Sequence, residues 1–97
     1  MAEKLLCLKA SFFGKVQGVG FRQFALEKAK ALGLKGFVKN CANESVEVEA
    51  FGSREELEEF LQILKKGNGF SKALKVSAEF CKAMNEIPQS FEIMHDF

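Results

Sequence analysis

Hydrophobic and polar positions alternate from Leu5 to Phe13. Leu6, Leu8, Ala10 and Phe12 fall on one face, and Cys7, Lys9 and Ser11 on the other. A period of two predicts a half-buried strand. The period then lengthens. Phe21, Phe24, Ala25, Ala29 and Leu32 recur at helical spacing, with Gly33 as a C-terminal stop. Gly36 to Asn40 reads as a short strand with Val38 on one face and Phe37 on the other, and Cys41 to Ser45 as a turn. Val46, Val48 and Ala50 alternate with Glu47 and Glu49, which predicts another half-buried strand.

Ser53-Arg54-Glu55-Glu56 is a capping box, because a serine and a glutamate three residues apart can satisfy each other's free N–H groups. The helix it opens carries Leu57, Phe60, Leu61 and Leu64 on one stripe and stops at Gly67-Asn68-Gly69. Leu74, Val76, Ala78 and Phe80 alternate with Lys75, Ser77 and Glu79 as a fourth strand. Pro88 marks a loop, and Phe91, Ile93 and His95 form a short last strand. The order is βαββαβ with a short extra C-terminal strand. Two amphipathic helices on one face of an antiparallel sheet predict an α+β, ferredoxin-like α/β sandwich. That fold hosts many functions, so function must come from a site.

A chain of 97 residues is expected to form a single domain over 1–97. Hydrophobic residues make up 47% and charged residues 28%, a balance that favours a packed core over disorder. The net charge of +1 gives no push toward DNA, RNA or an acidic membrane surface. No apolar run approaches the ~20 residues that span a bilayer. The apolar stretch before Lys9 is too short for a signal-peptide core. Cys7, Cys41 and Cys81 make neither a C-x-x-C pair nor a zinc spacing, so reduced thiols and a cytoplasmic location are expected. One histidine leaves almost no material for a histidine metal site or a Ser/His/Asp triad.

The segment with chemical content is Gly14-Lys15-Val16-Gln17-Gly18-Val19-Gly20-Phe21-Arg22, which joins the first strand to the first helix. Its glycines permit conformations that turn successive N–H groups inward as an anion nest. The helix N-terminus adds unpaired N–H groups and the positive end of its dipole. Arg22, in the first helical turn, has a planar fork that can grip two phosphate oxygens. These physical grounds leave two readings. One is a phosphate site. The other is a tight glycine turn with Arg22 solvated. A Walker A loop is excluded, because no Gly-Lys-Ser/Thr follows at the required spacing. Asn40, at a strand end before a turn, also has an ordinary role in bonding nearby backbone.

The nonapeptide resembles the acylphosphatase family signature G-x-V-Q-G-V-x-F-R at every specified position. The block Gly36-Phe37-Val38-Lys39-Asn40-Cys41-Ala42-Asn43-Glu44-Ser45-Val46-Glu47 is similar to that family's G-x-V-x-N-x-x-D-G-x-V-E. The likeness runs from about Leu5 to Ile93. It implies metal-free hydrolysis of acyl phosphates to a carboxylate and inorganic phosphate, with no cofactor and no phosphoenzyme. It further implies that Arg22 and the loop N–H groups of Lys15, Val16, Gln17, Gly18, Val19 and Gly20 bind phosphate, and that Asn40 positions the attacking water. The implied partner is a small acyl phosphate. Neither nucleic acid nor membrane is expected, and the chain is expected to be a monomer.

Three departures stand out. Asn43 replaces the usual aspartate, Glu44 the usual glycine, and Phe70 a frequent proline. Phe70 is expected to affect only a loop. If position 44 requires a positive φ, Glu44 costs about 1 kcal/mol or more. The alternative to an enzyme is a non-catalytic anion-binding module or a regulatory domain on the same fold. The nonapeptide also resembles the N-terminal domain of hydrogenase-maturation carbamoyltransferases, which continue into zinc-binding cysteine motifs. An RNA-binding reading is weak, since Lys35-Gly36-Phe37-Val38-Lys39 is only a fragment of the aromatic strand such domains use. A soft-metal chaperone would need paired cysteines after the first strand, where this chain has glycines.

Overall fold

A computed structural model describes residues 5–83 and 87–94 of the chain. Strand β1 (Leu6–Lys15) is followed by helix α1 (Phe21–Ala31), β2 (Lys35–Asn40), β3 (Val46–Gly52), helix α2 (Arg54–Lys66), β4 (Lys72–Lys82) and β5 (Phe91–Met94). The five strands form one sheet in the order β4-β1-β3-β2-β5. This is the expected ferredoxin-like βαββαβ arrangement with one added strand. His95, read from the sequence as part of the last strand, lies outside the described residues.

Strand β1 pairs antiparallel with β3 (Ala10↔Val48) and with β4 (Ala10↔Ala78), and β3 pairs antiparallel with β2 (Val38↔Val48). The sheet departs from fully antiparallel at β5, which runs parallel to β2 (Val38↔Ile93). Connection length explains this. Strand β4 ends beside the start of β1, at Leu6↔Lys82, and β5 begins beside the start of β2, at Gly36↔Phe91. Crossing from β4 to β5 means traversing four inter-strand gaps, about 19 Å at ~4.8 Å each. The linking residues 83–90 reach that far when extended. Entry at the near end of β5 is the shorter path, and it sets β5 parallel to β2.

The core lies between the sheet and the two helices. Leu8, Ala10, Phe12, Val38, Val46, Val48 and Ala50 from the sheet meet Phe21, Ala25 and Ala29 of α1 and Leu57, Phe60, Leu61 and Leu64 of α2. Phe12 and Phe21 meet at a tilt with centroids 5.3 Å apart, and Phe60 meets Phe91 edge-on at 5.8 Å. Truncating a buried phenylalanine such as Phe21 to alanine costs about 3–5 kcal/mol. Helix α1 ends in a Schellman motif, with Leu34 N–H donating to Ala29 O (2.9 Å) and Gly33 N–H to Lys30 O (3.1 Å). Helix α2 carries the expected capping box. Glu56 N–H donates to Ser53 Oγ (3.2 Å), and Ser53 N–H to Glu56 Oε1 (3.3 Å).

Two details differ from simple alternation. Leu74, expected among the alternating apolar residues of β4, is 75% exposed. The ladder skips from Phe13↔Lys75 to Gly14↔Ala73, so Leu74 is the extra residue of a β-bulge. Gly14 makes the bulge possible. Its φ is +127°, and a Cβ there would collide with Lys72 O. Cys7, placed by alternation on the solvent side, is 2% exposed. It sits opposite Phe51 on β3 and Cys81 on β4, so flanking strands cover it from both sides. Phe70 is exposed in the α2–β4 loop, in keeping with a local effect. No described helix is long and apolar enough to cross a membrane.

Candidate active site

Strands β1 and β2 run in the same direction, so the end of β1, the start of α1 and the end of β2 gather at one end of the sheet. Strand β5 ends there too. The β1–α1 loop is built around Gly18 (φ +74°) and Gly20 (φ +77°). These left-handed glycines separated by Val19 give the alternating backbone that turns consecutive N–H groups to one side. Gly20 is also the N-cap of α1, and no side chain caps that helix. The first intrahelical bond is Phe24 N–H to Gly20 O (3.0 Å). The N–H groups from Gln17 to Gln23 therefore donate to no described residue.

The helix end is electropositive. No acidic side chain stands in the first turn of α1, so that turn does not offset the helix dipole. Half-buried Arg22 projects from that same turn and makes no ion pair or hydrogen bond with a described residue. Phe21, 1% exposed and packed against Phe12, fixes the turn to the core. A cleft of about 280 Å³ opens beside the loop, lined by Val16, Gly18, Gly20, Phe21, Arg22, Gln23 and Ile93.

Two residues of the sequence-predicted donor set sit differently from the rest. Val16 N–H already donates to Gly14 O (3.0 Å), and its side chain is buried against the core. Lys15 belongs to the ladder, opposite Lys72. Both follow from β1 continuing past the bulge at Gly14, which shortens the free loop to residues 16–20.

Asn40 closes β2 on the face shared with Val38, the face that carries the helices. Its Oδ1 is buried and accepts no hydrogen bond from a described residue. A buried carbonyl oxygen of this kind needs a donor. Asn40 lies outside the lining of the Arg22 cleft. The link between them is the Gln17 side chain, whose Nε2 donates to Cys41 O (3.0 Å) and to Ser45 O (2.9 Å). The loop is thereby pinned to the turn that follows Asn40.

That turn is internally bonded. Cys41 N–H donates to Ser45 O (2.9 Å), Glu44 N–H to Cys41 O (3.0 Å), and Ser45 Oγ–H to Asn43 Oδ1 (2.6 Å). Glu44 has φ +69°, the left-handed conformation that its replacement of glycine makes costly.

Reading the sequence missed the side-chain role of Gln17 and the place of Ile93 in the cleft wall. Gln17 stood in the motif, but its acceptors are 24 and 28 residues away. The alternation of Phe91 and Ile93 marks an inward face without naming its neighbour. The described residues hold no cluster of three or more His, Cys, Asp or Glu side chains suited to a metal ion.

The family model described as Acylphosphatase matches residues 8–93. An acylphosphatase from Acaryochloris marina is 36% identical over 94 residues, covering 97% of this chain and 99% of its own length. One from Clostridium acetobutylicum is 42% identical over 83 residues, covering 84% and 89%. The crystal structure of acylphosphatase from Bacillus subtilis superimposes with a TM-score of 0.88 at 33% identity, over 93% of this chain and 99% of that one. Bound by its fold, by the Gly14–Arg22 loop and by near full-length similarity to these proteins, the chain belongs to the acylphosphatase family.

Proposed function

We propose that the protein hydrolyses acyl phosphates to a carboxylate and inorganic phosphate, using Arg22, Asn40 and the backbone of the β1–α1 loop. One observation carries the reading. Among the described residues, a run of N–H groups without acceptors and an arginine without an ion pair are tied through Gln17 to the strand end where Asn40 holds a buried carbonyl oxygen without a donor.

The chemistry asks little else. An acyl phosphate is an activated anhydride, and its carboxylate leaves without help from a general acid. What remains is to stabilise charge on the phosphoryl oxygens and to aim a water molecule at phosphorus. The N–H groups of Gln17, Gly18, Val19 and Gly20, the open end of α1 and the Arg22 guanidinium form a fixed positive cradle for three oxygens. Their orientation is set before substrate arrives, so little reorganisation accompanies the reaction. The Oδ1 of Asn40 accepts a hydrogen bond from the attacking water. Asn40 orients that water and does not deprotonate it, because an amide does not titrate in the useful range. The water attacks phosphorus as the bridging oxygen–phosphorus bond breaks, its proton passing to a phosphoryl oxygen or through water to solvent, and the carboxylate and inorganic phosphate are released.

The test is steady-state turnover of benzoyl phosphate, with and without a chelator, in the presence of increasing inorganic phosphate. The expected result is chelator-insensitive turnover with competitive inhibition, because the cradle accepts a tetrahedral anion whatever acyl group it carries. Phosphate binding at the loop without turnover would instead identify a non-catalytic anion-binding module. Non-competitive inhibition would move the reaction to another site.

A further inference from the structure

The loop after α2 reaches across to the anion loop through one side chain. Asn68 Nδ2 donates to Val19 O at 2.9 Å, a contact between residues 49 apart in sequence. The other end of the same carboxamide is occupied. Asn68 Oδ1 accepts from Phe70 N–H (2.9 Å) and from Ser71 N–H (2.8 Å). Two donors at the oxygen fix which end of the amide is nitrogen, so the Nδ2 must face Val19. The amide also lies against the next residue, since a Cβ placed on Gly20 would stand 3.6 Å from Asn68 Nδ2.

We propose that Asn68 is a positioning residue that aims the Gly20 N–H into the anion cradle. A trans peptide unit points its carbonyl and its N–H in opposite directions. The carbonyl of Val19 and the N–H of Gly20 belong to one such unit. By holding the Val19 carbonyl on the side of the α2–β4 loop, Asn68 holds the Gly20 N–H on the opposite side. Without that anchor the unit is free to turn, since the left-handed glycine at position 20 resists rotation least of all residues. A turned unit would present an oxygen to the anion in place of a donor. Gln17 pins one end of the loop to the β2–β3 turn, and Asn68 pins the other to the α2–β4 loop. The rigidity of the cradle is thus supplied by two side chains that point away from the anion.

This inference rests on the loop being the phosphate site, and the experiment separates the two. Phosphate is titrated into 15N-labelled protein, and Kd and the amide shifts of residues 17–22 are followed. Three variants are compared with the unaltered chain. Asn68→Ala removes the amide. Asn68→Asp keeps an acceptor for Phe70 and Ser71 but has no donor for Val19. Ser71→Ala removes the hydroxyl that accepts from Asn68 N–H (3.3 Å) and leaves the Val19 contact intact. Asn68→Ala and Asn68→Asp are expected to weaken phosphate binding by about fivefold to tenfold, with a reduced phosphate-induced shift at the Gly20 amide. Ser71→Ala is expected to stay within about twofold. Phosphate affinity and a Gly20 response unchanged in Asn68→Ala would overturn the proposal. Equal weakening in Asn68→Ala and Ser71→Ala would also overturn it, since loop integrity alone would then be the cause. If the unaltered chain shows no phosphate response at residues 17–22, the phosphate-site reading fails and this inference fails with it.

Discussion

Glu44→Gly should stabilise the protein. Glu44 holds φ +69° and is the one non-glycine with positive φ among the described residues. That conformation costs an ordinary L-residue about 1–2 kcal/mol, because Cβ crowds the following carbonyl oxygen. Glycine escapes the clash but loses more backbone freedom on folding, which returns about 0.5–1 kcal/mol. The net gain is about 0.5–1 kcal/mol. The Glu44 side chain is exposed and makes no hydrogen bond or ion pair with a described residue, so its removal loses no contact. The turn keeps its backbone bonds and the Gln17 anchors at Cys41 O and Ser45 O, all of which involve main-chain atoms. For a chain of this length, such a gain raises Tm by roughly 3–6 °C. Urea and thermal unfolding of Glu44→Gly and Glu44→Ala measure it. The alanine variant removes the charge and retains the strain, so it should not share the gain. Turnover should be unchanged within about twofold in both, since Asn40 is not displaced. A glycine variant no more stable than the alanine variant would refute the assignment of strain to this backbone.

Arg22→Ala should lower kcat/KM by several kcal/mol and weaken phosphate binding. Arg22→Lys should not rescue it, because an ammonium cannot reproduce the bidentate fork; titration and kinetics on both variants check this. Asn40→Ala should leave phosphate affinity within about threefold while kcat falls by about a hundredfold or more; near-normal turnover would remove Asn40 from the mechanism. Burial pushes the Cys7 thiol up to about 12, with neighbouring Cys81 and Glu49 adding to the effect. The folded chain thus keeps a proton that the unfolded chain releases above pH 9.0, so this contribution to stability is full below that pH and is lost as pH rises toward 12. Urea midpoints measured across that range should fall more steeply for the unaltered chain than for Cys7→Val.

Where the structure depends on local backbone, the sequence was enough. Period-two runs, the capping box at Ser53 and the glycine stops bounded the elements, because those signals act over a few residues. The glycines at 18 and 20 marked the β1–α1 loop for the same reason, since left-handed backbone is a property of single residues. The strain at Glu44 was legible as a departure from glycine, and its φ bears that out. Other features depended on which strands lie side by side. Alternation placed Cys7 toward solvent, but β3 and β4 flank it and bury it. Alternation placed Leu74 among the inward residues, but the bulge opposite Gly14 shifts the phase and turns it out. The parallel entry of β5 follows from the distance its connection must cross. The bonds from Gln17 to Cys41 and Ser45, and from Asn68 to Val19, join segments 24 to 49 residues apart. No local signal encodes such a pairing. A side-chain amide finds its acceptor only after the packed core has brought the two loops together.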